Sequence, residues 1–367
     1  MKILKEVCSL PTAPFAEQHV IAYAKAFAKQ RPRLRVSEDR FGNVLLELAG
    51  KAKHPRWVFA AHMDHPGFVA ERMLDANTLE AHFRGWVAIE YVRRTRVRFF
   101  SEGREITGKV IEATSEDYDR LAVPQRVKVQ VNAPVEPGSP GMFDQGEPRI
   151  RGRKLYSRAC DDLAGGAGAL AMLDQLYRKP PMSPVAVLLT RAEEEGFIGA
   201  IAAANKPQLL RRSDRIIAIE TSAQQSYAPQ GQGAIIRIGD KTSIFNSSLS
   251  YFLTQQAEDL TKRDKTFKFL RALMPGGTCE ATVYDVYGFI AGSICIALGN
   301  YHNMDRERQK IAPEFVNIDD WQSMVKLFVE IARNGHTYRI GHRALRARIE
   351  KRFSKLKHLL EPERAHA

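Results

Sequence analysis

Five residues of types that can bind metal ions lie close to the ends of apolar segments. They are His62, Asp161, Glu194, Glu220 and His302. Two imidazoles and three carboxylates, without any need for cysteine, suit a pair of divalent cations bridged by one carboxylate. The sequence therefore indicates hydrolytic chemistry at a metal centre.

Short strands predicted from the apolar segments would position these side chains. The predicted strands are Trp57–Ala61, Val185–Thr190, Ile216–Ile219 and Ser293–Leu298. In an open α/β sheet the carboxyl ends of the strands form the crevice that binds ligands. We therefore expect the candidate ligands to converge at one edge of a sheet.

Two acidic neighbours would support the candidate ligands. Asp64 follows His62 by two residues, and on a strand it would share a face with the ring and hold the tautomer that binds metal. Asp161 and Asp162 precede a helix predicted over Leu163–Tyr177, where a carboxylate could face two cations. A structural histidine beside a turn aspartate is the alternative for the first pair, and ordinary N-capping is the alternative for the second.

The acidic run Glu193-Glu194-Glu195 follows the predicted strand that ends at Thr190. Three consecutive carboxylates repel one another, and bound cations would relieve that repulsion. One glutamate could bind a metal while its neighbour acts as a general base. Gly196 permits a turn that brings both side chains into one cavity.

Composition places the chain among folded cytoplasmic proteins. It has 367 residues, of which 44% are hydrophobic, and a formal charge of +13. The four cysteines are scattered and form no pair of close spacing, which fits a reducing compartment. The N-terminus does not resemble a signal peptide, and no apolar segment approaches the roughly 20 residues that span a bilayer. We expect a cytoplasmic protein without a membrane partner.

The pattern of predicted elements divides the chain into three parts. Residues 1–71 and 152–338 show the helix and strand alternation of an α/β domain. Residues 72–151 carry short alternating strands, including one predicted over Val92–Phe100, and form an inserted small all-β domain. Residues 339–367 form a basic, helical C-terminal extension.

The C-terminal extension is amphipathic. It places Leu345, Ile349, Phe353, Leu356 and Leu360 at helical spacing. Eight lysines and arginines lie between Arg339 and Lys357, against the single acid Glu350. We expect the apolar stripe to dock on the chain itself, a neighbouring subunit or an acidic partner, with docking inside an assembly favoured. Nucleic acid is disfavoured, because neither stacking aromatic residues nor a binding fold accompanies the charge.

The ordered motifs resemble the tetrahedral aminopeptidases, which are glutamyl or leucyl aminopeptidases of the co-catalytic zinc exopeptidase clan. The motifs are Ala61-His62-Met63-Asp64, an inserted β-domain, Asp161-Asp162, the segment from Glu193 to Ala200, Glu220 and His302. Gly276-Gly277-Thr278 is also similar to a family loop near the site. The resemblance covers roughly residues 1–335.

This resemblance implies a role for each candidate ligand. Asp161 would bridge two metals. His62 and Glu220 would complete one metal site, and Glu194 and His302 the other. The metals would be two divalent ions per chain, zinc by expectation, with cobalt or manganese also accepted by such ligands.

The resemblance also implies the catalytic base, the fold and the assembly. Glu193 would be the general base, and Asp64 would orient the first histidine. The implied fold is a three-layer α/β/α sandwich with a mixed sheet and an inserted, barrel-like all-β domain. The implied assembly is a homo-oligomer, up to a dodecamer, built with the inserted domain.

The sequence departs from the family pattern at four sites. They are His65-Pro66-Gly67 in place of Glu-Ile-Gly, Leu163 in place of arginine, and Glu220 and Cys279 each in place of aspartate. The ligands and the base are retained, so we expect the chemistry to be retained. The substrate preference is not predictable from these positions.

The sequence predicts a metal-dependent aminopeptidase that acts on short peptides. Two alternatives stay open at this point. One is an amidohydrolase or deacylase that cleaves non-peptide amides with the same metals. The other is a catalytically weakened scaffold that binds partners through the β-domain and the basic extension.

Overall fold

The computed structural model describes residues 1–118, 121–341 and 343–360. The strands are β1 (Leu34–Glu38), β2 (Val44–Leu48), β3 (Trp57–His62), β4 (Gly67–Met73), β5 (Thr78–Arg84), β6 (Arg96–Ser101), β7 (Arg104–Tyr118), β8 (Leu121–Val131), β9 (Pro140–Phe143), β10 (Arg149–Arg151), β11 (Lys154–Ser157), β12 (Val185–Thr190), β13 (Arg215–Ala223), β14 (Ala234–Gly239), β15 (Phe269–Leu273), β16 (Ile290–Gly299), β17 (Met304–Asp305), β18 (Lys310–Ile311) and β19 (Glu314–Asn317). The α-helices are α1 (Lys2–Ser9), α2 (Gln18–Lys29), α3 (Ile89–Val92), α4 (Leu163–Arg178), α5 (Ile198–Asn205), α6 (Ser247–Arg263), α7 (Glu280–Val286), α8 (Ile318–Asn334) and α9 (Arg343–Leu356). Short 3₁₀ helices are Glu193–Glu195, Tyr301–Asn303, Gly335–Thr337 and Lys357–Leu360.

A large mixed sheet forms the centre of the α/β body. Its strands hydrogen-bond in the order β1-β2-β12-β3-β13-β16-β19-β11-β10, and β14 and β15 join it beside β16. The four neighbouring strands β12, β3, β13 and β16 run parallel. Their carboxyl ends therefore lie along one edge of the sheet, as the sequence predicted.

Helices cover both faces of this sheet. Successive side chains of β3 point to opposite faces. Trp57 and Phe59 pack into a core with residues of α4, α6 and α8, whereas Val58 and Ala60 pack into a second core with residues of α5 and α7. The predicted three-layer α/β/α sandwich is confirmed.

A closed barrel is inserted between β3 and β10. Its strands pair in the order β4-β5-β8-β7-β6-β9. Alternate residues of β5, Leu79, Ala81 and Phe83, point into the barrel core. At its centre the ring of Phe68 lies 5.1 Å from that of Phe83 and 5.5 Å from that of Phe143. The predicted all-β, barrel-like insertion is confirmed.

The strand predicted over Val92–Phe100 begins later in the structure. Residues 89–92 form the short helix α3, and β6 starts only at Arg96. Arg94 between them has a positive φ of 61°, which turns the chain before the strand. The sequence prediction was wrong here because the β-branched residues Val92 and Thr95, on either side of Arg93-Arg94, favour a strand.

The C-terminal helix α9 does not bury its apolar stripe on the rest of the described chain. Ile349 and Phe353 are 61% and 57% exposed, and Leu360 just beyond the helix is 78% exposed. Residues 342 and 361–367 of the predicted extension lie outside the described residues. Among the described residues, no helix combines the length and apolar character needed to cross a membrane.

Candidate metal centre

The carboxyl edge of the parallel strands brings the predicted ligand residues together. His62 is the last residue of β3 and pairs in register with Thr190, the last residue of β12. β12 leads into the 3₁₀ helix Glu193–Glu195, and β13 carries Glu220. The loop after β16 supplies the late histidine, and Asp161 lies just before α4.

The candidate ligand atoms form two groups that share Asp161. One group is His62, Asp161 and Glu220, and the other is Asp161, Glu194 and His302, with the atoms of each group within 4.8 Å of one another. Oδ1 of Asp161 lies 3.5 Å from Nε2 of His62, and Oδ2 lies 3.8 Å from Nε2 of His302. One carboxylate thus presents a different oxygen to each group.

Several polar atoms in these groups are buried without a hydrogen-bond partner among the described residues. They are Oδ1 of Asp161, Oε1 of Glu194, Oε1 of Glu220 and Nε2 of His302. A buried polar atom without a partner costs about 1–3 kcal/mol, and more when it is charged. Divalent cations would satisfy these atoms and offset the repulsion among the carboxylates. The residues present therefore fit a metal centre.

Glu193 lies on the more open side of the cluster. Its Oε2 is 3.9 Å from Nε2 of His62, and its side chain is 12% exposed, compared with 4% for Glu194. His62, Glu193 and Glu194 also form a third possible ligand group. The geometry thus brings Glu193 to the metal ligands and leaves it within reach of solvent.

Burial and mutual repulsion set the protonation of these groups when no cation is bound. Burial raises the pKa of Glu193 and that of Glu220, and neighbouring carboxylates raise both further. Burial lowers the pKa of His302, but the carboxylates of Glu194 and Asp161 outweigh it and raise that pKa to about 9. A divalent cation would oppose all three shifts, because it favours carboxylates and neutral imidazoles.

Asp64 holds the first histidine and the glutamate turn together. Its two carboxylate oxygens accept hydrogen bonds of 3.0 Å from the backbone N–H groups of Glu193 and Glu194. Nδ1 of His62 lies 3.1 Å from the backbone carbonyl of Asp64, closer than the 3.6 Å to its carboxylate. Donation from Nδ1 to this carbonyl leaves Nε2 free to bind metal.

The barrel orients the second histidine. Nδ1 of His302 lies 2.7 Å from the carbonyl oxygen of Trp86, in the segment that follows β5. Donation from Nδ1 to this carbonyl leaves Nε2 facing the carboxylates, with 3.2 Å to Oε1 of Glu194. The inserted domain therefore takes part in shaping the candidate centre.

Glu314 is a supporting residue that the sequence reasoning missed. Its buried carboxylate accepts hydrogen bonds from the backbone N–H groups of Cys160 at 2.7 Å, Asp161 at 3.1 Å and His302 at 2.8 Å. It thereby joins the two segments that carry the shared aspartate and the second histidine. The only sequence signal was an acid in the short strand pattern before Phe315-Val316, and no local pattern indicated its partners.

His65, one of the departures from the family pattern, lies directly behind the shared aspartate. Its Nδ1 is 2.8 Å from the backbone carbonyl of Asp161, and its Nε2 is 2.9 Å from Oδ1 of Asn303. Asn303 in turn donates to the carbonyl of Arg158 at 2.8 Å. The imidazole therefore helps to fix the backbone of Asp161.

Ordinary N-capping does not account for the Asp161-Asp162 pair. Asp162 occupies the N-cap position of α4, yet its side chain makes no capping hydrogen bond. Its Oδ1 instead accepts a 2.7 Å hydrogen bond from the Thr221 hydroxyl. A Cβ on Gly165 would lie 2.2 Å from that oxygen, so the small residue lets the helix start beside the carboxylates.

Two clefts open beside the candidate centre. One, of about 190 Å³, extends from Glu220 to Arg237, Arg306 and the loop Gly276–Thr278. The other, of about 240 Å³, lies between Glu194-Glu195-Gly196 and the barrel. Both reach a candidate metal ligand and are open to solvent.

One family matches this arrangement. The sequence model of the M42 glutamyl aminopeptidases matches residues 42–327, which is more than half of the chain. The chain belongs to the M42 family. M42 enzymes are metal-dependent aminopeptidases, so the predicted enzyme class, a metal-dependent peptide hydrolase, is confirmed.

Solved structures share the fold of this M42 chain. An aminopeptidase from the archaeon Desulfurococcus kamchatkensis matches with a TM-score of 0.75 and 21% identity, over 91% of this chain and 94% of that one. A TET peptidase of Pyrococcus horikoshii matches with a TM-score of 0.74 and 19% identity, over 90% and 98%. A TET aminopeptidase from a marine sediment archaeon of the Thaumarchaeota matches with a TM-score of 0.74 and 17% identity, over 91% and 95%. No curated protein sequence matches the chain.

The other departures from the M42 pattern lie around the centre. Leu163, in place of arginine, is buried at the start of α4. Cys279, in place of aspartate, is also buried, and its N–H donates to Asp240 at 3.0 Å. Neither residue belongs to the candidate ligand groups among the described residues.

Proposed function

We propose that this M42 chain is a dinuclear metallo-aminopeptidase that removes N-terminal residues from short peptides. The observation that carries the proposal is the sharing of Asp161 between two groups of ligand atoms. A single carboxylate with one oxygen towards each group suits a bridge between two cations. Family membership supplies the class of reaction.

The two groups define the proposed ligands. His62 and Glu220 complete one site around Asp161, and Glu194 and His302 complete the other. Imidazole and carboxylate ligands suit zinc, and cobalt or manganese would also bind. The buried atoms without hydrogen-bond partners support this assignment.

Glu193 is the proposed general base. Bound divalent cations would supply Lewis acidity towards the scissile carbonyl and lower the pKa of a water molecule. Glu193 accepts the proton of the attacking water and delivers it to the nitrogen of the leaving amine. Its partial exposure supports this role, and Asp64 fixes its backbone N–H at 3.0 Å.

The proposed substrate is a peptide with a free N-terminus. The clefts beside Glu220 and Glu194 offer room on both sides of the centre for the residues flanking the scissile bond. Membership of the M42 glutamyl aminopeptidase family favours an aminopeptidase over a deacylase.

We also propose the division of labour among the parts of the chain. By the bounds drawn from the sequence, residues 1–71 and 152–338 form the catalytic domain, 72–151 the inserted domain and 339–367 the extension. The barrel strands themselves run from Gly67 to Phe143, and β10 pairs in the large sheet. The Pyrococcus horikoshii relative assembles into a tetrahedron or an octahedral shell. By analogy this chain forms a homo-oligomer through the barrel, and an unchanged number of subunits per particle, measured by light scattering after deletion of the barrel, would contradict that role.

A substrate panel tests the proposed reaction. The purified chain, loaded with zinc, cobalt or manganese, is given free-amine dipeptides and the same dipeptides carrying an N-acetyl group. We expect hydrolysis of the free-amine series alone, loss of activity on chelation and recovery on return of the metal. Preferential cleavage of the acetylated series would establish a deacylase. Inactivity on both series with the metal bound would establish a scaffold.

A further inference from the structure

The helix α9 and the turn that follows it carry an apolar stripe with no partner on the described chain. Ile349, Phe353, Leu356 and Leu360 follow one another at spacings of four, three and four residues, so they share one face of the helix. All four are exposed, from 38% for Leu356 to 78% for Leu360. Exposed apolar residues that are contiguous in this way mark a binding surface.

Basic side chains border this stripe on both sides. By helical geometry Arg348, Arg352 and Lys355 lie along one edge, and Arg346 and Lys357 lie along the other. The one acid within the helix, Glu350, is paired with Arg346 at 2.7 Å. The surface is therefore apolar in the middle and basic at its edges, most strongly along the edge of Arg348, Arg352 and Lys355.

The catalytic body does not use this helix. The match to the M42 family ends at residue 327, before the helix begins. None of the candidate ligands lies within it. Its composition therefore calls for an explanation that is independent of the metal centre.

We propose that α9 binds an anionic phospholipid surface, with its axis in the plane of the membrane. The stripe would enter the boundary between headgroups and acyl chains, and the long basic side chains at its edges would reach the phosphates. Both features of the helix are then satisfied by one partner. This inference replaces the expectation, drawn from the sequence alone, that no membrane is involved.

Other partners satisfy only part of this surface. Nucleic acid would neutralise the basic edges but leave the apolar stripe in water. A second copy of the helix would cover the stripe but bring two sets of basic edges together. An acidic protein would need a groove of matching shape, whereas a bilayer needs only the apolar and cationic features present here.

Vesicle flotation with the full-length chain tests the proposal. We expect the chain to float with phosphatidylcholine vesicles that contain phosphatidylglycerol, and not with phosphatidylcholine alone. The variant Ile349→Ser/Phe353→Ser should bind at least about tenfold more weakly, because it removes two large apolar side chains from the membrane contact. Lys355→Gln/Lys357→Gln should also bind about tenfold or more weakly and show a weaker salt dependence, because two of the basic residues at the edges are lost.

Matched controls separate membrane binding from misfolding and from other partners. Val286→Ser, at an exposed apolar residue outside the helix, should float like the unchanged chain, and every variant should keep its zinc content and peptidase activity. Failure of the active, unchanged chain to bind anionic vesicles would overturn the proposal. Binding to duplex DNA or to polyglutamate without vesicle binding would assign the surface to a different partner. If the unchanged chain does not bind vesicles and the serine variant forms a smaller oligomer, the surface is instead an interface between subunits.

Discussion

The candidate metal centre and the helix α9 both concentrate charge of one sign, but they do so in opposite environments. The carboxylates at the strand edge are buried, and some of their oxygens lack any hydrogen-bond partner among the described residues. The lysine and arginine side chains of α9 lie on an exposed helix beside an exposed apolar stripe. Buried like charges indicate a counter-charge held inside the protein, whereas exposed like charges beside an apolar face indicate a surface outside it.

The two regions also differ in how firmly they are held. Asp64 and Glu314 bind the backbone of the ligand-bearing segments through several hydrogen bonds. The helix α9 is instead joined to the body through the segment after α8. In that segment the ring of Tyr338 packs with its centroid 5.7 Å from that of Trp57. Changes at the centre should therefore affect catalysis strongly, and changes in the helix should not affect it.

The largest expected effect is at Glu193. Glu193→Gln removes the proposed proton acceptor, so kcat should fall by about 10²–10⁴-fold while zinc content stays unchanged. Steady-state kinetics and elemental analysis measure the two quantities. Glu258→Gln is the control, since Glu258 is exposed on α6, away from both clefts, and belongs to no candidate ligand group. Loss of zinc from Glu193→Gln would show that this residue is itself a ligand.

A smaller effect is expected at Glu314. Glu314→Gln removes the charge that accepts three backbone N–H groups, so the zinc dissociation constant should rise by about 10–100-fold. Competition with a chromogenic chelator measures it. Asp320→Asn is the control, because Asp320 is also buried and accepts from Gly231 and Gly233, but it is outside the candidate ligand groups. Equal zinc affinity in both variants would show that Glu314 does not support the candidate metal ligands.

The stability of the metal-free chain should depend on pH in a defined direction. The folded chain raises the pKa of His302 from 6.5 to about 9, so the folded state holds this proton more tightly than the unfolded state. The contribution of His302 to the free energy of unfolding is fully present below pH 6.5 and is lost as pH rises through about 9. The melting temperature after chelation should fall across this window, and saturating zinc should remove the fall, because metal binding displaces protons. A metal-free melting temperature that rises with pH would contradict this account.

The smallest catalytic effect is expected from removal of the helix. A chain that ends at Gly341 should keep kcat/KM and zinc content unchanged and lose binding to anionic vesicles. A chain that ends at Gly335 also lacks Tyr338, which packs against Trp57 and Phe252, so its melting temperature should be lower. Loss of activity in the longer of these two chains would show that the helix and the centre are coupled.

The strand ends could be predicted from sequence because their signals are local. An apolar segment followed by an acid or a histidine indicated where β3 and β12 end, whereas β13 continues past Glu220 to Ala223. The supports around Asp161 could not be predicted in this way. Glu314 reaches the N–H of Asp161 across 153 residues, and the carbonyl of Trp86 reaches the ring of His302 across 216. Such contacts depend on how the barrel and sheet are assembled, which no short pattern specifies.

The same limit applies to the C-terminal helix. The spacing from Leu345 to Leu360 predicted the helix and its apolar stripe, and α9 is present. Whether the stripe is covered depends on the surface it meets, and its exposure could be read only from the folded chain. Local periodicity thus specifies the face of a helix without specifying the partner of that face.

Metal stoichiometry in Asp161→Asn tests the central claim most directly. Because one carboxylate is proposed to serve two cations, the unchanged chain should bind about two zinc ions and the variant should lose both. Elemental analysis of dialysed protein measures this, alongside Glu258→Gln as a control that keeps both ions. A variant that retains one tightly bound zinc ion would contradict the shared role of Asp161.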